Sequence, residues 1–160
     1  MRMFAAAAAV CALMVTPACA QQPAPSQNAT AFMAQNALEP GVQSLPSGVQ
    51  YKIVKSGPAD GQHPTPEDLV KVNYEGSLLN GQVFDSSFQR NKPVTFQLKK
   101  LIPGWIDAVQ LMRPGDQWIL YVPPSMGYGD EQSGPIPPKS VLVFKLELLA
   151  VGDAAGPEGG

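Results

Sequence analysis

The sequence predicts an α+β domain, in which a largely antiparallel sheet of about five strands folds over one short α-helix. Five short segments alternate apolar and polar residues, turn residues separate them, and one convincing amphipathic helix lies among them. The chain has 17 Pro and 15 Gly among 160 residues, so long regular helices are not expected. A hydrophobic fraction of 44% can supply one core.

Residues 1–20 have the features of a bacterial secretory signal peptide. Arg2 precedes an apolar run over residues 4–15, and Ala18-Cys19-Ala20 offers a cleavage site. Lipidation of Cys19 is the alternative, but Thr16 stands where a lipidation motif usually has Leu. We therefore expect export to the periplasm or medium, with a lipid anchor on Cys19 as the less favoured alternative. Because both Cys residues lie in this segment, no internal disulfide is expected.

Residues 21–47 are expected to form a flexible tether that contains a short helical segment. The stretch from Gln21 to Gln27 has nothing large and apolar to bury. From Asn28 to Leu38 a short helix is predicted, with Asn28 as its N-cap and Pro40-Gly41 after its end. Two alternatives remain open for this helix: a frayed arm, or a segment packed on the domain.

The predicted strands all show period-two alternation, which indicates one buried face; they cover residues 49–53, 70–74, 94–98, 118–122 and 142–148. The predicted helix has Pro103 in its first turn and ends at Pro114-Gly115, with Trp105 on its apolar stripe. The tail over residues 152–160 loses all alternation and is expected to be disordered. The longest irregular stretch, residues 123–140, is where a functional site is expected.

Composition argues against several function classes. A net charge of −2 makes nucleic acid a poor partner. The single histidine, His63, lies in a Pro-rich turn and is expected at the surface, so a histidine-assisted nucleophile is not expected. No spacing of acidic residues is typical of a metal site, and no phosphate-binding glycine loop is present. We expect neither a metal nor a cofactor.

One polar element stands out among the aromatic residues, the run Val83-Phe84-Asp85-Ser86-Ser87. From these residues alone, Asp85 is most simply a turn cap and the aromatic residues are ordinary core. However, five linked motifs together resemble the FKBP-type peptidyl-prolyl cis-trans isomerases over residues 48–151: Tyr74-Glu75-Gly76, Asn80 to Ser87, Ile102-Pro103-Gly104-Trp105, Tyr128-Gly129 with Ile136-Pro137-Pro138, and Leu142 to Leu149. The residues before them resemble the linker of the exported Mip and FkpA-like subgroup.

The resemblance implies a bent antiparallel sheet around a short helix and an apolar pocket that binds proline. It implies catalytic roles for Asp85, Tyr128 and Trp105, with Trp105 as the pocket floor. The implied substrate-binding residues are Tyr74, Phe84, Phe96, Leu101, Ile102, Ile136 and Phe144. The Tyr128 hydroxyl and the Ile136 backbone N–H are the donors expected to meet substrate carbonyls.

The implied activity is rotation of X-Pro bonds in unfolded or partly folded exported polypeptides, without a cofactor. The alternative is a client-binding chaperone module with little catalysis. Macrolides of the FK506 and rapamycin type are further candidate ligands.

Three departures from the family pattern affect these expectations. Val94 stands where an aromatic residue is common, and Gln132 or Ser133 stands where a histidine is common, in a loop about one residue shorter. These differences bear on macrolide affinity and substrate preference. About 28 residues separate Ala20 from the first motif, too few for the subgroup's long dimerisation helix, so a monomer is expected.

Overall fold

The computed structural model describes residues 25–152, so the predicted signal peptide and residues 153–160 of the predicted tail lie outside the described part. Within the described part, no helix combines the length and the hydropathy needed to cross a membrane. Two helices and seven strands follow one another in this order: α1 Pro25–Asn36, β1 Val42–Ser44, β2 Gln50–Lys55, β3 Leu69–Leu78, β4 Val83–Ser86, β5 Val94–Gln97, α2 Pro103–Val109, β6 Gln117–Val122 and β7 Leu142–Gly152. Short 3-10 segments cover Leu98–Lys100 and Pro124–Met126.

The strands form one antiparallel sheet in the order β1-β2-β6-β7-β3-β4, and β5 also pairs with β3. β5 pairs with Leu69–Val72 of β3, and β4 pairs with Glu75–Ser77 of β3. Both strands therefore lie along the edge of β3 that is opposite to β7. The α+β prediction is confirmed, although the sheet has seven strands rather than about five. The two extra strands, β1 and β4, have three and four residues. Neither segment alternates apolar and polar residues: β1 has one apolar residue, and the two apolar residues of β4, Val83 and Phe84, are adjacent.

The core lies between one face of the sheet and α2. Alternate residues of β3 and β7 are buried on this face, including Val72 and Leu148, which are fully buried. α2 begins at Pro103 and ends at Val109, which is shorter than the predicted helix. Met112 lies beyond the end of α2, in the turn that precedes Pro114-Gly115, and is still fully buried.

α1 packs on the opposite face of the sheet. The Asn36 side-chain amide donates to Gln50 Oε1 at 2.8 Å, and Gln50 Nε2 donates to the Met33 carbonyl oxygen at 2.7 Å. The Phe32 ring centroid lies 6.0 Å from that of Tyr121. Tyr121 alternates with the buried residues of β6, so it lies on the face of the sheet that is opposite to the core. Of the two alternatives, the packed segment is therefore the observed one.

The start of α1 differs from the prediction. The helix begins at Pro25, so Asn28 lies inside its first turn and the prediction that Asn28 is the N-cap is wrong. Proline is favoured at the first helical position, because its missing N–H has no partner there in any case. The described part of the predicted tether thus contains α1 and β1.

Candidate active site

A cavity of about 240 Å³ opens on the core side of the sheet, beside the first turn of α2. Its lining combines residues of β3, β4, β5 and β7 with the start of α2 and the loop after β6. These are Tyr74, Phe84, Asp85, Phe96, Leu101, Ile102, Trp105, Tyr128 and Phe144. Nine of the ten residues predicted for the pocket therefore lie around one cavity.

Trp105 lies at the centre of this aromatic cluster and is 4% exposed. Its ring makes near-perpendicular contacts with three other rings, at centroid distances of 5.4 Å to Tyr74, 5.2 Å to Phe144 and 6.2 Å to Phe96. Edge-to-face pairs of this kind are favoured by the charge distribution of aromatic rings and hold each ring in one orientation. The cavity wall is therefore a rigid apolar surface.

The position of Trp105 depends on its neighbour Gly104. A Cβ atom on Gly104 would lie 2.7 Å from Val122 Cγ1, so no larger residue fits without a shift. The glycine lets α2 approach β6 closely and places Trp105 against the sheet. The Trp105 indole N–H is buried and has no hydrogen-bond partner within residues 25–152.

A polar cluster of Tyr74, Asp85 and Arg90 lies at the edge of the cavity. The Tyr74 hydroxyl and the Arg90 guanidinium both donate to the Asp85 carboxylate, one to each oxygen. Arg90 Nη2 also donates to the Tyr74 hydroxyl oxygen at 3.3 Å. Asp85 is thus held in one orientation by two donors, a charge-assisted arrangement.

These contacts change the acidity of both groups. Partial burial raises the pKa of Asp85, but the hydrogen bonds from Arg90 and Tyr74 outweigh it, so that this pKa lies below its ordinary value. The pKa of Tyr74 is raised, first by burial and then by its hydrogen bond to Asp85. Near neutral pH, the carboxylate is charged and the phenol carries its proton.

Ser87, which follows β4, is hydrogen-bonded to Tyr74 of β3. The Tyr74 backbone N–H donates to Ser87 Oγ at 2.8 Å, and the Ser87 N–H donates to the Tyr74 carbonyl oxygen at 2.8 Å. Ser87 is fully buried. The register pairs Asp85 with Gly76, so Asp85 faces the cavity one strand away from Tyr74. Asp85 therefore lines the cavity and is not only a turn cap.

Ile136 differs from the other predicted pocket residues. It is 4% exposed but does not line the cavity, and its backbone N–H donates to the Ser133 carbonyl oxygen at 2.9 Å. Tyr128 lies at the mouth, 42% exposed, and its hydroxyl has no hydrogen-bond partner among the described residues. Of the two predicted donors, only Tyr128 is open to a ligand in this conformation.

Sequence reasoning missed Arg90. It follows Asp85 by five residues, in the turn between β4 and β5, and is exposed. An exposed arginine in a turn carries no periodic signal, so only the folded turn brings it to Asp85. Among the described residues, no cluster of His, Cys, Asp and Glu could hold a metal ion.

Comparison with known proteins identifies the family. The model for "FKBP-type peptidyl-prolyl cis-trans isomerase" matches residues 60–149, which is more than half of the chain. The chain belongs to the FKBP-type peptidyl-prolyl cis-trans isomerase family. A second family model, "Domain amino terminal to FKBP-type peptidyl-prolyl isomerase", matches residues 4–53, which include α1. The resemblance inferred from the sequence motifs is confirmed.

Several members of the FKBP family are similar to this chain. It is 47% identical to the peptidyl-prolyl cis-trans isomerase Mip of Coxiella burnetii, over 79% of this chain and 54% of that protein. The crystal structure of FkpA from Escherichia coli matches with a TM-score of 0.76 and 37% identity, over 80% of this chain and 59% of that chain. A peptidyl-prolyl cis-trans isomerase structure from Pseudomonas syringae matches with a TM-score of 0.75 and 35% identity, over 81% of this chain and 94% of that one. The chain spans about half the length of the curated relatives it matches.

Proposed function

We propose that this chain accelerates cis-trans rotation of X-Pro bonds in unfolded or partly folded exported polypeptides. The observation that carries the proposal is the rigid aromatic cavity over Trp105, with the charged Asp85 at its edge. Its volume of about 240 Å³ suits a small apolar group such as a prolyl ring. The proposal agrees with membership of the FKBP family.

The reaction requires a low-polarity pocket rather than a nucleophile. Rotation about the peptide bond breaks amide resonance over a barrier of roughly 18–20 kcal/mol, without making or breaking a covalent bond. The twisted amide has lost its resonance dipole, so it is less dependent on water than the planar amide. A cavity walled by Trp105, Phe96 and Phe144 therefore favours the twisted state over the planar one. To shorten a step of tens of seconds to milliseconds, the site must supply about 5–6 kcal/mol.

Two polar groups are proposed to add to this effect. The open Tyr128 hydroxyl can donate to a substrate carbonyl and hold the chain across the mouth. Asp85, which Tyr74 and Arg90 hold in place, directs fixed negative charge at the rotating amide. Ile136 can donate to a substrate only if its hydrogen bond to Ser133 opens, so we assign it a supporting role beneath the loop.

The test is the cis-to-trans rate of short X-Pro peptides with Leu, Phe or Glu before proline. We expect acceleration by the chain and a much weaker effect for Asp85→Ala and Trp105→Leu. Trp118→Leu is the matched control, because Trp118 is also buried without a partner for its indole N–H but does not line this cavity. Equal losses for the two Trp variants would contradict the assignment of Trp105. A folded chain without effect on any peptide would refute catalysis and leave a client-binding role.

Three finer predictions belong to this proposal. Export is predicted from residues 1–20, and mass spectrometry of protein from the bacterial envelope would show cleavage before Gln21 or a lipid on Cys19. Macrolide binding to the same cavity is predicted and would inhibit the peptide reaction. The monomeric state is predicted too, and light scattering that gives twice the chain mass would contradict it.

A further inference from the structure

A second and larger cavity, of about 650 Å³, separates α1 from the loop that follows β6. Met33 of α1 and Ser47 form part of one side, and the loop forms the other. We call this space the α1 cleft; its lining includes Met33, Ser47, Pro123, Ser125, Asp130 and Lys139. None of these residues belongs to the proline pocket described above.

The α1 cleft combines apolar walls with polar groups that lack partners. Asp130 and Lys139 are exposed, and neither forms a salt bridge or a side-chain hydrogen bond within the described part of the chain. The Ser47 hydroxyl is buried in the wall, also without a partner among residues 25–152. The lining therefore offers an acceptor, donors and apolar contact together.

The cleft and the pocket adjoin each other along one loop. Tyr128 lines the proline pocket and the next residue, Gly129, lines the α1 cleft. Neighbouring Cα atoms are about 3.8 Å apart, so the two cavities share a thin wall. The Lys139 N–H donates to the Gly129 carbonyl oxygen at 2.8 Å. This hydrogen bond joins the two ends of the loop at the shared wall. The pocket and the α1 cleft therefore lie on two sides of one loop, and a chain that crosses this loop beside Tyr128 passes from one to the other.

We propose that the α1 cleft binds residues of a client polypeptide that flank the proline held in the pocket. The inference rests on the proposed function and extends it, because it makes long unfolded chains the preferred substrates. An extended polypeptide carries unpaired N–H and C=O groups next to apolar side chains, which matches the mixed lining of Asp130, Lys139 and Met33. A purely apolar ligand would leave the polar groups of the cleft unsatisfied.

The experiment compares two substrates for each variant. The first is a tetrapeptide with one residue after proline, too short to fill both cavities. The second is an unfolded protein whose refolding is limited by one X-Pro bond. Ser125→Trp fills the cleft from an exposed position outside the pocket, and Ser56→Trp is the matched control at an exposed position outside both cavities.

We expect Ser125→Trp to leave kcat/KM on the tetrapeptide unchanged and to lower it at least threefold on the protein substrate. The loss should appear mainly in KM, because the cleft contributes binding that is equal in the ground and transition states. Ser56→Trp should change neither value. Asp130→Lys should lower kcat/KM for protein segments rich in Lys or Arg and raise it for segments rich in Asp or Glu.

Each other outcome has a definite meaning. A Ser125→Trp variant that keeps full efficiency on the protein substrate, or loses efficiency equally on both substrates, overturns the role of the α1 cleft. A change of molecular mass in light scattering upon Ser125→Trp would assign the cleft to a second copy of the chain and also overturn the proposal. If the unaltered chain accelerates neither substrate, the proposed isomerase function itself fails.

Discussion

Gly76 lies beneath the two phenylalanines of the pocket wall, and its replacement by alanine is a direct test of the site geometry. A Cβ atom at this position would lie 2.5 Å from Phe84 Cζ and 2.8 Å from Phe144 Cε1. Carbon atoms in contact are normally about 3.5–4.0 Å apart, so the Phe84 ring must move by about 1 Å. Because Phe84 is half-buried and borders the cavity, the free direction is into the pocket.

The expected effects of Gly76→Ala follow from this displacement. Inserting a methyl group into a packed core costs about 1–3 kcal/mol, and the half-buried Phe84 should keep the cost near the lower end. Phe144 is 4% exposed and cannot move away as easily. A misplacement of about 1 Å in a catalytic site can reduce the rate by about 100-fold. We therefore expect a 10- to 100-fold loss of kcat/KM with a modest loss of stability.

Urea unfolding and the peptide isomerase assay measure the two effects separately. Gly152→Ala is the matched control, because it makes the same chemical change where no atom lies within 4 Å of the new Cβ and where φ is not left-handed. The control should match the wild type in both assays. A Gly76→Ala protein with wild-type stability and wild-type activity would refute the reasoning, since it would mean that the rings of Phe84 and Phe144 do not define the active pocket.

Three further perturbations test the electrostatics and the packing around the site. Removing the cation in Arg90→Gln raises the pKa of Asp85, so the pH below which isomerase activity falls should move upward in a profile from roughly pH 3 to 8. The stability that Asp85 contributes through its lowered pKa is present above about pH 4 and is lost as the pH falls further. Asn36→Ala leaves the side-chain oxygen of the buried Gln50 without its donor and should lower the free energy of urea unfolding by about 1–3 kcal/mol. Asp116→Ala removes the buried acceptor of two backbone N–H groups and should cost about 2–4 kcal/mol in the same measurement.

Each of these variants has an exposed counterpart in the chain. Lys92→Gln removes a cation from the same turn as Arg90, Gln35→Ala shortens an exposed side chain on α1, and Asp60→Ala removes an exposed carboxylate. All three should behave like the wild type. If Arg90→Gln does not shift the pH below which activity falls, Asp85 does not titrate in the reaction. If Asn36→Ala and Asp116→Ala are as stable as Gln35→Ala and Asp60→Ala, the packing argument is contradicted.

The strand pattern was predictable because it depends on local chemistry. Val70, Val72 and Tyr74 alternate with polar residues, and the structure buries all three on one face of β3. β4 escaped prediction because Val83 and Phe84 are adjacent and two polar residues follow them, so the segment shows no alternation and becomes a strand only through pairing with β3. The start of α1 was misplaced because Pro25 and Asn28 are both favourable near a helix start, and local preference does not choose between them.

The candidate site could be predicted only in part. The linked motifs led to nine residues that do surround one cavity, although Tyr74 and Phe144 are 70 positions apart in the chain. Arg90 had no signal, since its role arises from the turn that carries it to Asp85. The motif predicted that the Ile136 backbone N–H donates to substrate, but in the structure this N–H donates to Ser133 within its own loop. A motif identifies residue types, whereas hydrogen-bond partners depend on loop conformation.

By itself, the sequence determined the α+β class, the five strands that alternate apolar and polar residues, the helix at Trp105 and the family, because periodicity, turn residues and motif spacing are written along the chain. The tertiary structure alone decided that α1 packs on the sheet, that Arg90 and Tyr74 hold Asp85, and that a second cleft lies beside the aromatic cavity. These features join segments distant in sequence. The free energy of such contacts comes from burial and from hydrogen bonds that exist only after the strands have found their register.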